Sequence, residues 1–417
     1  MRFVVALAVA VAGCYRPSPP AGAPCANGEC PSGLRCVDDI CISGDPDGDG
    51  SVADADLTDA APALVPSNGI SPSLLDGATA MITADKLDFD TETGRIKSAN
   101  VVVREAGQGV RNGIGFAVVD GMGVFTATSM TVPNGNGWTA GGDNAWVLYA
   151  ATTITVLGEI DAGATVNLGG PGGKSGGANT ATLVCRGGAG LAYPGSFGEG
   201  GGGAGGATTG GDGGPANQPT FGIGGTQCDQ PSTIPLRGGN GGGAGGFDTM
   251  TGMLRGGVGG GGGGAIALVA MDAITITGVV GVPGGGGDAH TNGDGGGGGG
   301  GGGAILLESP LILVEGALTA NGGGGGAPSG ADGNRGTIAS ANTATGGSFN
   351  GKRGGHGGAG TSPPSDGETY DDGLGTMRRG GGGGGAAGRI EVKAILATVA
   401  SDAVTSPPVT MTTAVLE

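Results

Sequence analysis

The stretch AIALVAMDAITITGVV, residues 265–280, sets the fold that we expect for this chain. Apolar residues occupy every second position in its two halves, 265–270 and 274–280, which is the pattern of strands that bury one face. Gly278 interrupts the second half, at a point where a strand must bend or end. The stretch therefore predicts two short β-strands rather than a helix.

Copies of this pattern return along the chain. It occurs at 145–160, again at 304–318 with one residue fewer between the halves, and in shorter form at 388–392. Four further β-type runs precede the first copy, at 80–89, 100–104, 115–119 and 124–132. A unit of this size cannot bury its apolar face alone, whereas stacked copies make a continuous core. We therefore expect an all-β chain whose domain 78–417 is a β-solenoid, with a right-handed parallel β-helix as the favoured form and a β-sandwich as the alternative.

Glycine accounts for 105 of the 417 residues, mostly in insertions of unequal length between the copies. Glycine brings no side chain to bury and loses more backbone freedom on folding than any other residue. The insertions either lack fixed structure or lie extended as packed polyglycine II helices, because bare backbones can approach closely enough to form hydrogen bonds. The purest tract is 295–303. The sequence leaves both interpretations open.

The charge balance is acidic, with a formal net charge of -17. Such a chain repels nucleic acid and anionic lipid surfaces. We therefore expect no nucleic-acid partner.

The N-terminus has the features of an export signal. Arg2 precedes an apolar run at 3–12, and Gly13-Cys14 follows it. A membrane-spanning helix needs about 20 apolar residues, roughly twice the length of this run. Residues 1–13 are therefore expected to be a signal peptide, with a short tether at 14–24.

Six cysteines remain beyond Cys14, and an even number in an exported chain suggests disulfides. Four of them lie within the segment 25–41, which is too short to build a core and so favours a small disulfide knot. These four are Cys25, Cys30, Cys36 and Cys41. A zinc site is the alternative, although cysteine pairs separated by two residues and a nearby His are missing. Cys185 and Cys228, if bonded to each other, would tie the base of a glycine-rich loop.

An acidic linker rich in Ala, Pro and Asp is expected at 42–77. Within it, Asp45, Asp47 and Asp49 match the first half of a calcium loop, and Asp56 falls at the twelfth position. A solvated acidic spacer is the other interpretation. Calcium is the one cofactor that the sequence suggests.

The enzymatic alternative is a polysaccharide lyase or a glycosidase, because parallel β-helices often carry such sites. These enzymes need carboxylates that converge on one groove, and Asp85, Asp88 and Asp90 are the best candidates. Only His290 and His356 exist, each in a glycine-rich loop, so a fixed catalytic His is not expected. We expect a protein that is not an enzyme, with a carbohydrate-active β-helix enzyme as the alternative.

The chain resembles the glycine-rich lipoproteins of myxobacteria, sometimes labelled PE-PGRS-like. The resemblance rests on Val11-Ala12-Gly13-Cys14, which is similar to a lipobox, on the Cys-Pro-x-Gly-Leu-x-Cys motif at 30–36, and on Gly-Gly-Ala-Ile-x-Leu at 263–268 and 302–307. It implies cleavage before Cys14, a lipid on the Cys14 thiol and a place in the cell envelope, at the outer membrane or cell surface. The chain differs from the mycobacterial proteins that give the PE-PGRS label its name, because it lacks their N-terminal Pro-Glu domain.

This resemblance implies a surface adhesin or structural scaffold, with no catalytic residues to carry over. The expected partners are the membrane, through the lipid on Cys14, and envelope glycans or surface proteins. A calcium-linked surface module is a further alternative, centred on the acidic residues of the linker.

Overall fold

The computed structural model describes two compact units, divided between Ala61 and Pro62. The residues described are 63–177, 185–192, 198–216, 221–228, 232–247, 256–290, 294–373 and 378–417, together with the backbone of 34–37 and 40–43. Within these ranges the secondary structure is all-β apart from one 3-10 turn, Pro72–Leu75. The prediction of an all-β chain is confirmed.

In the first unit the described backbone forms one antiparallel hairpin. Strand β1 (Leu34–Val37) pairs with β2 (Ile40–Ser43), and Cys36 lies directly opposite Cys41. The other predicted features of this unit lie outside the described residues: the signal peptide, Cys14, Cys25, Cys30, and the calcium candidates Asp45, Asp47, Asp49 and Asp56. The disulfide knot stays a prediction.

The second unit is built from three ladders of parallel strands. The first ladder contains β9 (Met122–Ala127), β12 (Ala145–Ala150), β15 (Ala265–Ala270), the start of β18 (Ala304–Val314), the start of β24 (Arg389–Val399) and β26 (Thr410–Thr413). The second contains β3 (Met81–Ile82), β10 (Ser129–Val132), β13 (Thr153–Val156), β16 (Ala273–Ile276) and the later parts of β18 and β24. The third contains β4 (Leu87–Asp90), β11 (Gly137–Gly141), β14 (Glu159–Asp161), β17 (Val279–Gly281), β19 (Ala317–Thr319) and β25 (Val404–Ser406).

Antiparallel strands make the sheets mixed. Strands β5 (Ile96–Ser98) and β6 (Val101–Arg104) extend the third ladder, and β7 (Gly109–Arg111) and β8 (Ile114–Val119) extend the first. Two small hairpins stand apart, β20 (Ser348–Phe349) with β21 (Lys352–Arg353) and β22 (Thr369–Asp371) with β23 (Arg378–Gly380). Because β18 and β24 run from the first ladder into the second, these two ladders form one curled sheet of 12 strands.

The copies found in the sequence lie side by side, in register, as neighbouring strands. Trp146 pairs with Ile266, which pairs with Ile305, which pairs with Ile390. All four side chains are buried in one apolar core. Fully burying one such apolar side chain contributes about 1.5–3 kcal/mol, so each residue of this row stabilises the stacking of the copies.

The copies at 145–160 and 265–280 each form three strands where the sequence predicted two, and the copy at 304–318 forms two, because β18 continues through the first two ladders. Gly158, Gly278 and Gly316 each occupy the same place, between a strand of the second ladder and a strand of the third. A Cβ built on Gly278 would lie closer than 3.0 Å to the carbonyl oxygen of Gly158 in the neighbouring copy. The close approach of backbones at this corner therefore requires glycine and splits the predicted second strand.

The outer face of the first ladder is covered as well. Val147, Val269 and Leu306 point outward and form a second apolar cluster, which includes Leu64 and Ile70. Residues 63–77 were expected to belong to a linker, but the compact unit begins at Pro62, ahead of the boundary expected at 78. The apolar side chains of this segment explain why it packs on the strands.

The three glycine-rich insertions, 162–264, 282–303 and 320–388, all leave after a strand of the third ladder and return into the first. Their described residues are called here the glycine bundle. The segment 295–303 lies at its centre and is fully buried. Every third N–H of this segment donates to the same neighbouring segment, at N···O distances of 2.8 to 3.0 Å. Gly295, Gly298 and Gly301 donate to 240–246; Gly296, Gly299 and Gly302 donate to 380–386; Gly297, Gly300 and Gly303 donate to 282–288.

The carbonyls of the central segment follow the same period of three. They accept from three further segments, at 257–263, 201–204 and 323–326. The central segment is thus surrounded by six neighbours, and each backbone N–H from Gly295 to Gly303 is paired. Buried backbone groups that lack a partner cost about 1–3 kcal/mol each, so this pairing is what permits a buried segment without side chains.

Candidate functional site

A cavity of about 590 Å³ lies where the first ladder meets the glycine bundle. Its walls come from strand ends, such as Ala145 and Ala304, and from segments of the bundle near Gly205 and Gly238. Ligand-binding cavities commonly have volumes of about 300–1,000 Å³. The cavity is therefore large enough for a small molecule, and its polar lining decides which chemistry it suits.

Charged side chains of both signs line this junction cavity. Lys174, Arg237 and Arg389 supply the cations, and Asp120 and Asp143 supply the anions. The local excess of positive charge stands out in a chain whose formal net charge is -17. The excess is one positive charge, so the wall suits a ligand that places a carboxylate beside the cations.

Cys185 and Cys228 lie together in the wall of the junction cavity, although 42 residues separate them in the sequence. The Cys185 carbonyl accepts from the N–H of Gly205 at 2.8 Å, and the Cys228 N–H donates to the carbonyl of Gly206 at 3.0 Å. Two adjacent residues of one bundle segment therefore fix both cysteines.

Both cysteines are free thiols and partly buried. Burial raises the pKa of the Cys228 thiol to about 12, and its hydrogen bond and charge interaction with Cys185 add to this, while Arg389 opposes it. The Asn240 Nδ2 atom donates to the Cys228 Sγ atom at 3.4 Å. The predicted disulfide between the two cysteines stays a prediction, and the structure places its partners side by side.

Arg389 connects the strand region with this pair. It is the first residue of β24, and its guanidinium donates to the Cys228 carbonyl at 2.6 Å. Neither Arg389 nor Asn240 was singled out from the sequence. The sequence holds a weak signal for Arg389, which is the one charged residue at the start of a repeat copy.

The carboxylates proposed for an enzymatic site have separate surroundings. Asp85 and Asp88 are exposed, and Asp88 accepts a hydrogen bond of 3.4 Å from the Thr139 hydroxyl. Asp90 accepts from the N–H groups of Glu92 and Thr93 at 3.0 and 2.9 Å. Burial alone would raise the pKa of Asp90, but these hydrogen bonds and Arg95 hold it below its usual range. Asp90 therefore acts as a turn-forming residue.

None of these three carboxylates lines the junction cavity or the second cavity found in the described residues, a groove beside Leu157 and Glu159. Burial raises the pKa of Glu159, and Asp161 raises it further, while Arg335 lowers it. Arg335 forms a bidentate ion pair with Asp161, with N···O distances of 2.9 and 2.5 Å. That pair joins the bundle to β14.

The two histidines lie in the glycine bundle. The His290 Nδ1 atom is 2.9 Å from an oxygen of Asp294, which is 3% exposed. The backbone N–H of His356 donates to the Ser365 hydroxyl at 2.8 Å. The described residues contain no group of three or more His, Cys, Asp or Glu side chains placed to hold a metal ion.

A buried ionic cluster on the outer face of the first ladder was missed by the sequence analysis. Glu308 is 0% exposed and accepts from the backbone N–H and the hydroxyl of Ser67, each at 2.8 Å. The Lys393 ammonium lies 3.1 Å from the same carboxylate. A charged residue inside the apolar run 304–308 was the available signal for this cluster.

Across the described parts of the chain, no helix has the length and apolar character that a membrane span requires. No model of a known protein family matches the chain. The comparisons found no similar curated protein and no similar solved structure.

Proposed function

We propose that this chain is a non-catalytic lipoprotein of the cell envelope, acting as a surface adhesin or structural scaffold. The observation that carries the proposal is the glycine bundle, whose central segment 295–303 pairs its backbone with six neighbours. The central segment is glycine throughout, so it carries no side chain that could perform chemistry. The bundle offers a stiff body on which outer side chains are held in fixed positions.

The proposed architecture is a β-solenoid of the right-handed parallel β-helix type, with the insertions as polyglycine II helices. Parallel pairing in all three ladders supports the solenoid, because β-sandwiches are built from antiparallel strands. The donor period of three supports the second part, since the polyproline II type of helix has three residues per turn and no internal hydrogen bonds.

A rigid glycine bundle would favour adhesion because it holds the surface side chains in fixed positions. A binding surface that is already ordered loses less conformational entropy when a partner binds. The partners that we propose are envelope glycans or surface proteins, with the Cys14 lipid holding the chain at the membrane. A single lipid chain binds a membrane only marginally, so a diacyl group on Cys14 provides the stable anchor.

A glycan-binding assay tests the proposed role. The purified full chain is incubated with envelope polysaccharide fractions, and both bound protein and released sugar ends are measured. Saturable binding without new reducing or unsaturated sugar ends is expected. Release of such ends, abolished by Asp88→Asn or Asp85→Asn, would overturn the non-catalytic role in favour of a carbohydrate-active enzyme.

The anchor is tested separately with Cys14→Ser and metabolic lipid labelling. The variant is expected to lose the label and to leave the membrane fraction. Retention of both in Cys14→Ser would contradict the lipoprotein assignment.

A further inference from the structure

We propose that Cys185 and Cys228 are a reactive dithiol, which a small carboxylate-bearing disulfide reaches through the junction cavity and oxidises to a reversible covalent staple of the glycine bundle. The proposal is independent of what the protein binds. It depends on three features of the described residues: the placement of the two thiols, the space in front of them and the charge of that space.

The placement comes from the bundle segment that contains Gly205 and Gly206. Cys185 belongs to the segment 185–192, and Cys228 belongs to 221–228. Both segments form backbone hydrogen bonds with the segment 198–206. Within it, Gly205 is hydrogen-bonded to Cys185, and the adjacent Gly206 is hydrogen-bonded to Cys228. The Cys185 N–H also donates to the Thr226 hydroxyl at 3.4 Å, which is a direct contact between the two outer segments.

The junction cavity gives an oxidant room to approach. Both thiols are partly buried and line this space of about 590 Å³. Thiol–disulfide exchange passes through a mixed disulfide, so the incoming molecule must fit beside the attacking sulfur. The same wall holds three cations, Lys174, Arg237 and Arg389, against two anions, Asp120 and Asp143. This excess of one positive charge favours a disulfide that carries carboxylates, such as glutathione disulfide.

The surroundings of the two thiols differ and so set the order of events. The thiolate is the attacking species in exchange. Burial and then the contact with Cys185 raise the pKa of the Cys228 thiol, and the Cys228 Sγ atom already accepts a hydrogen bond from the Asn240 Nδ2 atom at 3.4 Å. Cys185 is therefore assigned the first attack, and Cys228 the second.

Oxidation of the cysteine pair takes two exchange steps. The Cys185 thiol releases its proton to solvent, and its sulfur attacks one sulfur of the oxidant, whose other half leaves as a thiolate and takes up a proton. The Cys228 thiol then releases its proton, and its sulfur attacks the Cys185 sulfur, so that the second half of the oxidant leaves and is protonated. Two electrons pass from the cysteine pair to the oxidant, which ends as two thiols.

Peptide mapping on the full chain provides the test. The reduced, folded protein is exposed to glutathione disulfide without oxygen, and remaining thiols are alkylated. Trypsin cuts after Lys174, Arg186 and Arg237, so the two cysteines fall on separate peptides, 175–186 and 187–237. We expect these peptides to become cross-linked, and reduction to release them. Separate, fully alkylated peptides from the folded protein would overturn the proposal without reference to any variant.

Two single variants test the order of attack. Cys228→Ser is expected to accumulate a stable glutathione adduct on Cys185. Cys185→Ser is expected to leave Cys228 unmodified over the same time. Equal adduct formation in the two variants would contradict the assigned roles.

Charge-removing variants test the route. Lys174→Gln combined with Arg237→Gln should slow oxidation by glutathione disulfide roughly tenfold, while oxidation by the cationic disulfide cystamine should not slow. Equal slowing of both reagents would show that the two cations do not act by attracting an anionic oxidant, and no slowing of either would show that the oxidant does not enter through the junction cavity. Either result overturns this route.

Discussion

Single glycines of the bundle are required because of what lies next to them. A Cβ built on Gly300 would lie closer than 3.0 Å to the carbonyl oxygen of Gly261, and the same holds for Gly298 against the carbonyl of Gly202. Neither residue has a backbone conformation reserved for glycine. Close packing of backbones, rather than turn formation, therefore explains much of the glycine content.

Gly300→Ala is expected to destabilise the protein by about 1–3 kcal/mol, the usual cost of forcing extra atoms into a packed interior. Gly141→Ala is the matched control, because a Cβ there meets nothing within 4 Å. Urea denaturation of the two variants compares their free energies of unfolding. Equal stabilities would show that Gly300 is not packed as described.

The sequence shows that glycine is abundant, but it does not predict whether the glycine tracts pack against one another. Glycine tracts are compatible with both disorder and packed helices, because no side-chain pattern distinguishes them. Only the positions of neighbouring carbonyls, such as that of Gly261 beside Gly300, decide between them. The junction cavity could not be predicted from the sequence either, because Cys185, Cys228 and Arg389 come together only when the insertions pack.

One carboxyl in the bundle makes stability depend on pH. Burial raises the pKa of Asp288 above its usual range, and the charge of Asp332 raises it further. Because the folded state then binds a proton more readily than the unfolded chain, the destabilisation is present at neutral pH and is relieved as the pH falls through the folded-state pKa.

Asp288→Asn, which removes this charge, is therefore expected to raise the melting temperature at pH 7. The gain should shrink as the pH approaches about 4, where the carboxyl of the unfolded chain is itself protonated. Asp272→Asn, at an exposed position, serves as the control. Melting curves of the wild type and both variants between these pH values make the comparison, and an unchanged melting temperature for Asp288→Asn at pH 7 would refute it.

At the scale of elements, the repeat copies were the strongest sequence signal. The copies at 145–160, 265–280 and 304–318 do pair with one another in register. Alternating apolar residues identify such strands from sequence alone. The antiparallel strands β5 and β7 were not predicted, because they are only three residues long and largely exposed or polar.

Residues 63–77 were also not predicted to pack on the strands, because they were assigned to the acidic linker together with the residues before them. Their attachment depends on tertiary contacts: Leu64 bridges to Leu416, and Ser67 bonds to Glu308. The Glu308–Lys393 pair beneath this segment joins β18 to β24. These contacts join residues that are far apart in the sequence, so no local sequence pattern predicts them.

Removing one partner of this pair should cost more than replacing both. Lys393→Met leaves the buried Glu308 carboxylate without its counter-charge, and we expect a loss of about 3 kcal/mol. Glu308→Leu combined with Lys393→Met removes both charges and should be less destabilising than Lys393→Met alone. Urea denaturation of the three proteins measures the difference; a double variant less stable than the single one would contradict the description of a closed, buried ion pair.

At the scale of the molecule, two kinds of backbone order are combined. The strands of the ladders bury apolar side chains on one another, whereas the centre of the glycine bundle, 295–303, buries backbone alone. The insertions leave the third ladder and return to the first, so strand register is transmitted directly into the bundle. For example, the N–H of Gly303, just before β18, donates to the carbonyl of Val282, just after β17. The ladders thereby position the first residues of each bundle segment.

Hydrogen exchange of the glycine amides tests the central claim most directly. The exchange of peptides covering 294–303 is followed by mass spectrometry in the native full chain, with peptides covering β12 as the internal reference. Because the N–H groups of Gly295 to Gly303 are bonded and buried, we expect them to exchange as slowly as those of β12. Exchange of 294–303 at the rate of the denatured chain would contradict an ordered glycine bundle.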